Sequence, residues 1–227
     1  MITNKHIFIV FILLVSAIVF FGISDIDLFL EDYLYNFQTK EFIVDFDTQP
    51  YRFIFYDGIK KLLIIFAVSL LLGLIIFWKT SFLKPYKKGV FIILLSAIFI
   101  PAVVGFLKDT TNMPCPEDEL RYGGDYIRTA VWECYPENFE LKNDRIKCWP
   151  AGHASGGFAL MSLYFLFRKN KNKYLALSFG IFIGWSMGLY KMATGDHFFS
   201  HTLITMLLSW FIIIIISRFV ESVAKRI

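Results

Sequence analysis

The chain lacks most of what a soluble or nucleotide-handling protein carries. Only 19% of its 227 residues are charged, and the net charge of +4 is small, with the basic residues scattered in short clusters between apolar runs, which excludes a nucleic-acid-binding surface. There is no Gly-rich phosphate loop, no internal repeat and no low-complexity tract, so residues 1–227 read as a single domain. No small-x-small cleavage site follows the first apolar run, Ile7 to Gly22, which therefore reads as a membrane helix and not as a signal-peptide core. Cysteine is scarce: Cys115, Cys134 and Cys148 are the only three, and all fall in one loop. Such clustering leaves open one disulfide, a metal site or plain thiols.

Apolar residues are what the chain has in excess. They make up 56% of it, the mean hydropathy is +0.57 and there are 26 phenylalanines, a composition for a lipid-facing surface. With the roughly 20 residues that a hydrocarbon core of ~30 Å demands, six runs are expected to cross: Ile7 to Gly22, Leu62 to Trp78, Gly89 to Leu107, Ala154 to Phe167, Tyr174 to Tyr190 and Phe198 to Ser217. The expected fold is all-α, a six-transmembrane-helix bundle. Lys5, the lysines from Lys79 to Lys88, the cluster Arg168 to Lys173, and Arg218, Lys225 and Arg226 all fall on one side, which the positive-inside rule makes cytoplasmic, with both termini. Loops 24–58, 108–152 and 191–197 are then extracytoplasmic.

Two expectations follow from that side. Residues 24–58 carry eight acidic side chains against Lys40 and Arg52, interleaved with Leu28, Phe29, Leu30 and Tyr33, and predict an amphipathic helix on the bilayer surface after the first span. On an oxidising face a disulfide persists; the expected pair is Cys115 with Cys148, which ties the start of the loop to the next helix entry, with three reduced thiols as the alternative.

The stretch Cys148-Trp149-Pro150-Ala151-Gly152-His153 delivers a histidine to the start of an apolar run. If that run is a helix, its free N–H groups and positive dipole end favour an anion such as phosphate beside His153. At the same face Lys108 ends the third run, and Lys191 to His201 joins the fifth to the sixth. His197 and His201, four apart, share one face of a helix. Alone, they also fit a structural pair, or metal ligands with Asp196 and His153.

Lys108-x6-Cys115-Pro116, Pro150-Ala151-Gly152-His153 and Lys191-x5-His197-x3-His201 together resemble the three-part signature of the membrane-bound type-2 phosphatidic acid phosphatases, K-x6-R-P, P-S-G-H and S-R-x5-H-x3-D. The resemblance implies a metal-independent, cofactor-free lipid phosphate phosphatase. His197 would be the nucleophile that forms a phosphohistidine, and His153 the general acid and then base. Lys108, Lys191 and the backbone at Ala151 and Gly152 would hold the phosphoryl oxygens, and His201 would stand where the family has the aspartate that orients the nucleophile. Implied substrates are phosphatidylglycerophosphate, undecaprenyl diphosphate, phosphatidic acid or lipid A phosphates, in a bacterial inner membrane with the site on the periplasmic side. A phosphotransferase, or an inactive lipid-binding relative, are the alternatives.

The departures from the pattern are specific. Cys115 replaces an arginine, with Arg121, Arg128 and Arg145 of the same loop as candidate substitutes. Lys191 keeps the charge of an arginine without its bidentate fork, Ala151 lacks the serine hydroxyl, and His201 carries no negative charge.

Overall fold

The computed structural model describes residues 3–136, 139 and 146–224. Seven α-helices form among them: α1 (Asn4–Ile23), α2 (Ile26–Glu31), α3 (Ile59–Ile76), α4 (Lys87–Lys108), α5 (Gly152–Ala159), α6 (Asn170–Ala193) and α7 (Phe199–Val223). A π-helical segment, Phe53–Gly58, leads into α3, and a tighter 3₁₀ segment, Leu160–Phe165, continues α5. The two-residue strands β1 (Tyr35–Asn36) and β2 (Glu41–Phe42) pair antiparallel, Tyr35 opposite Phe42.

Five of these helical stretches are long and apolar enough to cross a membrane: Asn4–Ile23, Phe53–Ile76, Lys87–Lys108, Asn170–Ala193 and Phe199–Val223. They correspond to five of the six runs expected. The remaining run differs, because helix covers only Gly152 to Phe165, and at 1.5 Å and 2.0 Å rise per residue that is about 24 Å, short of a ~30 Å core.

Its position explains its shortness. The α5 segment is the buried centre of the bundle, with Ala154, Phe158 and Met161 almost wholly enclosed beside Ile92 and Ile100 of α4 and Ile213 of α7. Gly180 and Gly184 of α6 let its backbone meet that of the α5 segment, while Gly188, further along α6, lies against Thr202 of α7. A Cβ on Gly157 would stand 2.7 Å from the Cα of Gly184, and one on Gly180 would stand 2.4 Å from the Met161 nitrogen. By contrast α3 buries only Leu74, and Leu62, Ile65, Leu72 and Ile76 face outward. Helices that bury one side and expose Ile, Leu and Phe on the other suit a lipid solvent.

The segment after α1 is not the surface helix that its pattern predicts. Before the π-helical turn at Phe53–Gly58, helix is limited to the six residues of α2, and there polarity is inverted: Phe29 and Tyr33 are exposed, whereas Asp27 and Glu31 are fully buried. The carboxylates turn inward because they have work there. Asp27 Oδ1 accepts the backbone N–H of Ser200 at 2.9 Å, capping the first turn of α7 from 173 residues away. Glu31 tolerates burial by holding its proton, since desolvation and the nearby carboxylates Asp27, Glu119 and Asp32 push it up to about 9.

A carboxyl raised from 4.5 to about 9 favours the fold while both states are protonated, and loses that contribution as pH climbs between the two values. Thermal stability in detergent is thus expected to decline across that interval. Glu31→Gln should flatten the decline, as read by unfolding at a series of pH values.

Candidate active site

The site forms where the end of α4, the start of α5 and the turn between α6 and α7 meet. The backbone N–H of Ala151 donates to Thr205 Oγ1 at 2.8 Å and lies 3.4 Å from the His201 carbonyl oxygen, so the entry to α5 is bonded to the first turns of α7. Thr205 in turn donates to the His201 carbonyl at 2.7 Å. Trp149, just before, accepts from Thr111 Oγ1 at 3.0 Å, which fixes the same strand of chain to the exit of α4. Lys108 ends α4 there, and its Nζ packs over Gly152, 3.5 Å from where a Cβ would sit.

Gly195 makes the turn after α6 in the left-handed region, at φ 78°, and a Cβ would also strike the Phe42 ring at 2.4 Å. This reversal brings Asp196 back onto the helix it has left. Lys191 Nζ meets Asp196 Oδ1 at 2.8 Å with only 5% of the lysine side chain exposed, and Thr194 Oγ1 donates to Asp196 Oδ2 at 2.5 Å. Two rings complete the cage around that ammonium: Phe46 at 3.9 Å and Tyr56 at 4.6 Å from the ring centres. Val44 N–H to the Ala193 carbonyl (3.2 Å) and Tyr190 O–H to the Phe46 carbonyl (2.9 Å) strap this segment to the end of α6. Tyr56 also lies against His153, with ring centres 4.1 Å apart.

His197 and His201 face each other through Nδ1, 3.4 Å apart, both buried. One Nδ1 carries the proton and the other accepts, and the pairing leaves each Nε2 on the far side of its ring. His201 Nε2 is enclosed without a partner among the described residues. A disulfide joins Cys115 to Cys148, and the Cys148 sulfur lies 3.4 Å from His197 Nδ1 and 3.7 Å from His201 Nδ1. A disulfide sulfur has no proton to donate, so these are packing contacts that wall the histidine pair from behind. His197 is held well below the usual histidine range by burial first and then by the positive charges of Lys108 and its neighbours, and it stays neutral near pH 7.

The structure therefore brings Lys108, Ala151, Gly152, His153, Lys191, His197 and His201 to one end of the bundle. Lys108, His201, His153 and Lys191 all act electrostatically on His197. As metal ligands the candidates do not converge, because Asp196 is committed to Lys191 and Thr194. Among the described residues, the one group of donors within ligand range is Cys115, Cys148 and His197, and its sulfurs are joined to each other.

Of the arginines considered as substitutes for position 115, Arg121 is occupied elsewhere, gripping Asp32 through Nε and Nη2 at 2.8 and 2.6 Å. Arg128 is nearer, 5.8 Å from the centre of the Phe198 ring, and acts on His201. Arg145 lies outside the described residues, as do Lys225 and Arg226 among the topology signals.

The sequence model of the PAP2 superfamily matches residues 89–224. The chain belongs to the PAP2 superfamily. The match spans α4 to α7 and so contains every residue of the cluster except Phe46 and Tyr56, which come from the segment before it. Membership of the PAP2 superfamily points to phosphatase activity on phosphate esters in a membrane setting. No match was found among curated proteins or among solved structures.

Phe46, Tyr56 and Thr205 were not legible as parts of the site, and Asp196 was read only as a possible metal ligand and not as the partner of Lys191. Only Asp196 had a local signal, its place beside His197. Removing the disulfide with Cys115→Ser and Cys148→Ser together is expected to cost about 3–4 kcal/mol of stability by loop-closure entropy. Unfolding of the double variant in detergent, beside the parent in oxidising buffer, measures this.

Proposed function

We propose that the chain hydrolyses a phosphomonoester or diphosphate on a membrane lipid through a phosphohistidine on His197. The observation that carries this reading is the imidazole pair: His197 is buried and neutral with Nδ1 turned to His201, which leaves Nε2 as its reactive nitrogen among Lys108, His153 and Lys191. Nε2 attacks phosphorus and the P–O bond to the lipid breaks, while His153 gives its proton to the leaving oxygen. His153 then takes a proton from water, whose oxygen attacks phosphorus, and the P–N bond returns its electron pair to Nε2. Lys108, Lys191 and the N–H groups of the first turn of α5, from Gly152 onward, stabilise the charge that develops on the phosphoryl oxygens; the Ala151 N–H expected to share this role is committed to Thr205 instead.

In this reading His201 accepts the N–H of His197 in place of a carboxylate. It orients the ring but adds no negative charge to balance the imidazolium. The membrane arrangement proposed with it is a bacterial inner membrane with cytoplasmic termini and the site on the periplasmic side, α5 and its 3₁₀ extension serving as the fourth of six crossings. The lysine and arginine clusters at Lys79 to Lys88 and Arg168 to Lys173 support that orientation.

His197→Ala is expected to lower phosphate release from lipid phosphates by at least about a thousandfold, and His153→Ala by about a hundredfold or more, in protein that stays folded in detergent. Retained turnover in His197→Ala would remove the covalent step. Release of free phosphate with one lipid present separates hydrolysis from transfer to a second lipid, and loss of all turnover in the parent would leave only a lipid-binding role. His201→Asp should raise turnover by about tenfold or more, because a carboxylate balances the imidazolium that forms on His197 where a neutral histidine does not. Turnover unchanged by that substitution would rule out the acceptor role.

A further inference from the structure

A cavity of about 420 Å³ lies between α3, α4 and α5. Its walls, among them Leu63, Ala97 and Leu160, are apolar, and its polar end is made by Lys60, Lys108, Gly152 and His153, residues at the ends of their helices. An apolar chain in this cavity would present its headgroup to those four. Three of them belong to the matched PAP2 region, and Lys60, on the first turn of α3, does not.

The cations divide between the two histidines. Lys108 and Lys191 act on both His153 and His197, whereas Lys60 acts on His153, and the charges acting on His197 are those of Lys108, His201, His153 and Lys191. Lys60 also lines the cavity together with His153, whereas His197 does not line it, so Lys60 stands on the side of the proton donor. Among the described residues it has no ion-pair partner: the nearest acidic position on its own element, Asp57, pairs with Arg52 at 3.4 Å. The carboxylate of Asp196, the other acidic group of the site, is held by Lys191.

We infer that Lys60 forms a second anion subsite on the leaving-group side of His153, so that the site prefers lipid diphosphates over lipid monophosphates. This rests on the phosphatase reading above and narrows its substrate class. When a monophosphate ester is cleaved the leaving group is a neutral alcohol, which gives an ammonium group nothing to hold. When a diphosphate is cleaved, the bond broken joins the two phosphates, and the leaving group is an anionic lipid monophosphate attached to the chain in the cavity. Its oxygen takes the proton from His153 and its charge lies against Lys60.

The test uses the full chain in detergent and two ligand pairs, prenyl diphosphate with prenyl monophosphate for turnover, and prenyl methylenediphosphonate with prenyl phosphonate for binding to the His197→Ala protein. Lys60→Gln is expected to lower kcat/KM for the diphosphate and affinity for the diphosphonate by about tenfold, the scale of one contact to a charged group. The monophosphate and monophosphonate should change by less than about twofold, and Lys60→Arg should restore the difference. Equal losses on both members of a pair, or no loss on either, would overturn the subsite even if turnover remains dependent on His197. If the parent turns over neither substrate yet binds the diphosphonate in a Lys60-dependent manner, the hydrolase reading falls and the subsite stands.

Discussion

A single backbone N–H sets the register of the site. Ala151 donates to Thr205 and reaches toward the His201 carbonyl, so the entry to α5 cannot move along α7 without breaking that bond in a dry interior, where an orphaned amide costs on the order of 1–3 kcal/mol. Everything that brings His153 to the level of His197 depends on it. The glycine contacts between α5 and α6 then determine how closely the two helices lie, and the bond to Thr205 determines how far along.

Behind the histidines the chain has built a wall where a charged partner might have been expected. His201 offers one nitrogen to His197, and the sulfur of Cys148 closes the space beside both rings. The position that aligns with an arginine in the family pattern is spent on the other half of that disulfide. The two departures thus meet at one place, where the Cys148 half of the disulfide packs against both His197 and His201.

Much of this was readable in the sequence. Of the six runs that hydropathy marked, five are helices long and apolar enough to cross a membrane, and the spacing of Lys108, His153, Lys191, His197 and His201 pointed to the cluster, because both signals are local. What escaped depends on partners far away in the chain. The run from Ala154 to Phe167 is only 14 residues long in the sequence, and what escaped was its burial, which follows from packing against α6 through Gly157 and Gly184. Asp27 and Glu31 alternate with aromatics as a surface helix would, and their burial follows from the free amide of Ser200 and from a retained proton, neither of which periodicity encodes. Tyr56 reaches His153 from a π-helical turn, an irregularity without a sequence signature.

The ion pair between Lys191 and Asp196 has a consequence for what the site admits. In the proposed reaction, an arriving phosphate finds that ammonium already engaged by a carboxylate and flanked by two aromatic faces, so binding would be an exchange of one anion for another. Asp196 acts as a resident competitor. A weakly charged or poorly placed anion cannot displace it, while a phosphoryl group anchored by its lipid arrives at high local concentration and with more than one negative charge, which makes discrimination against free small anions a property of the empty site itself.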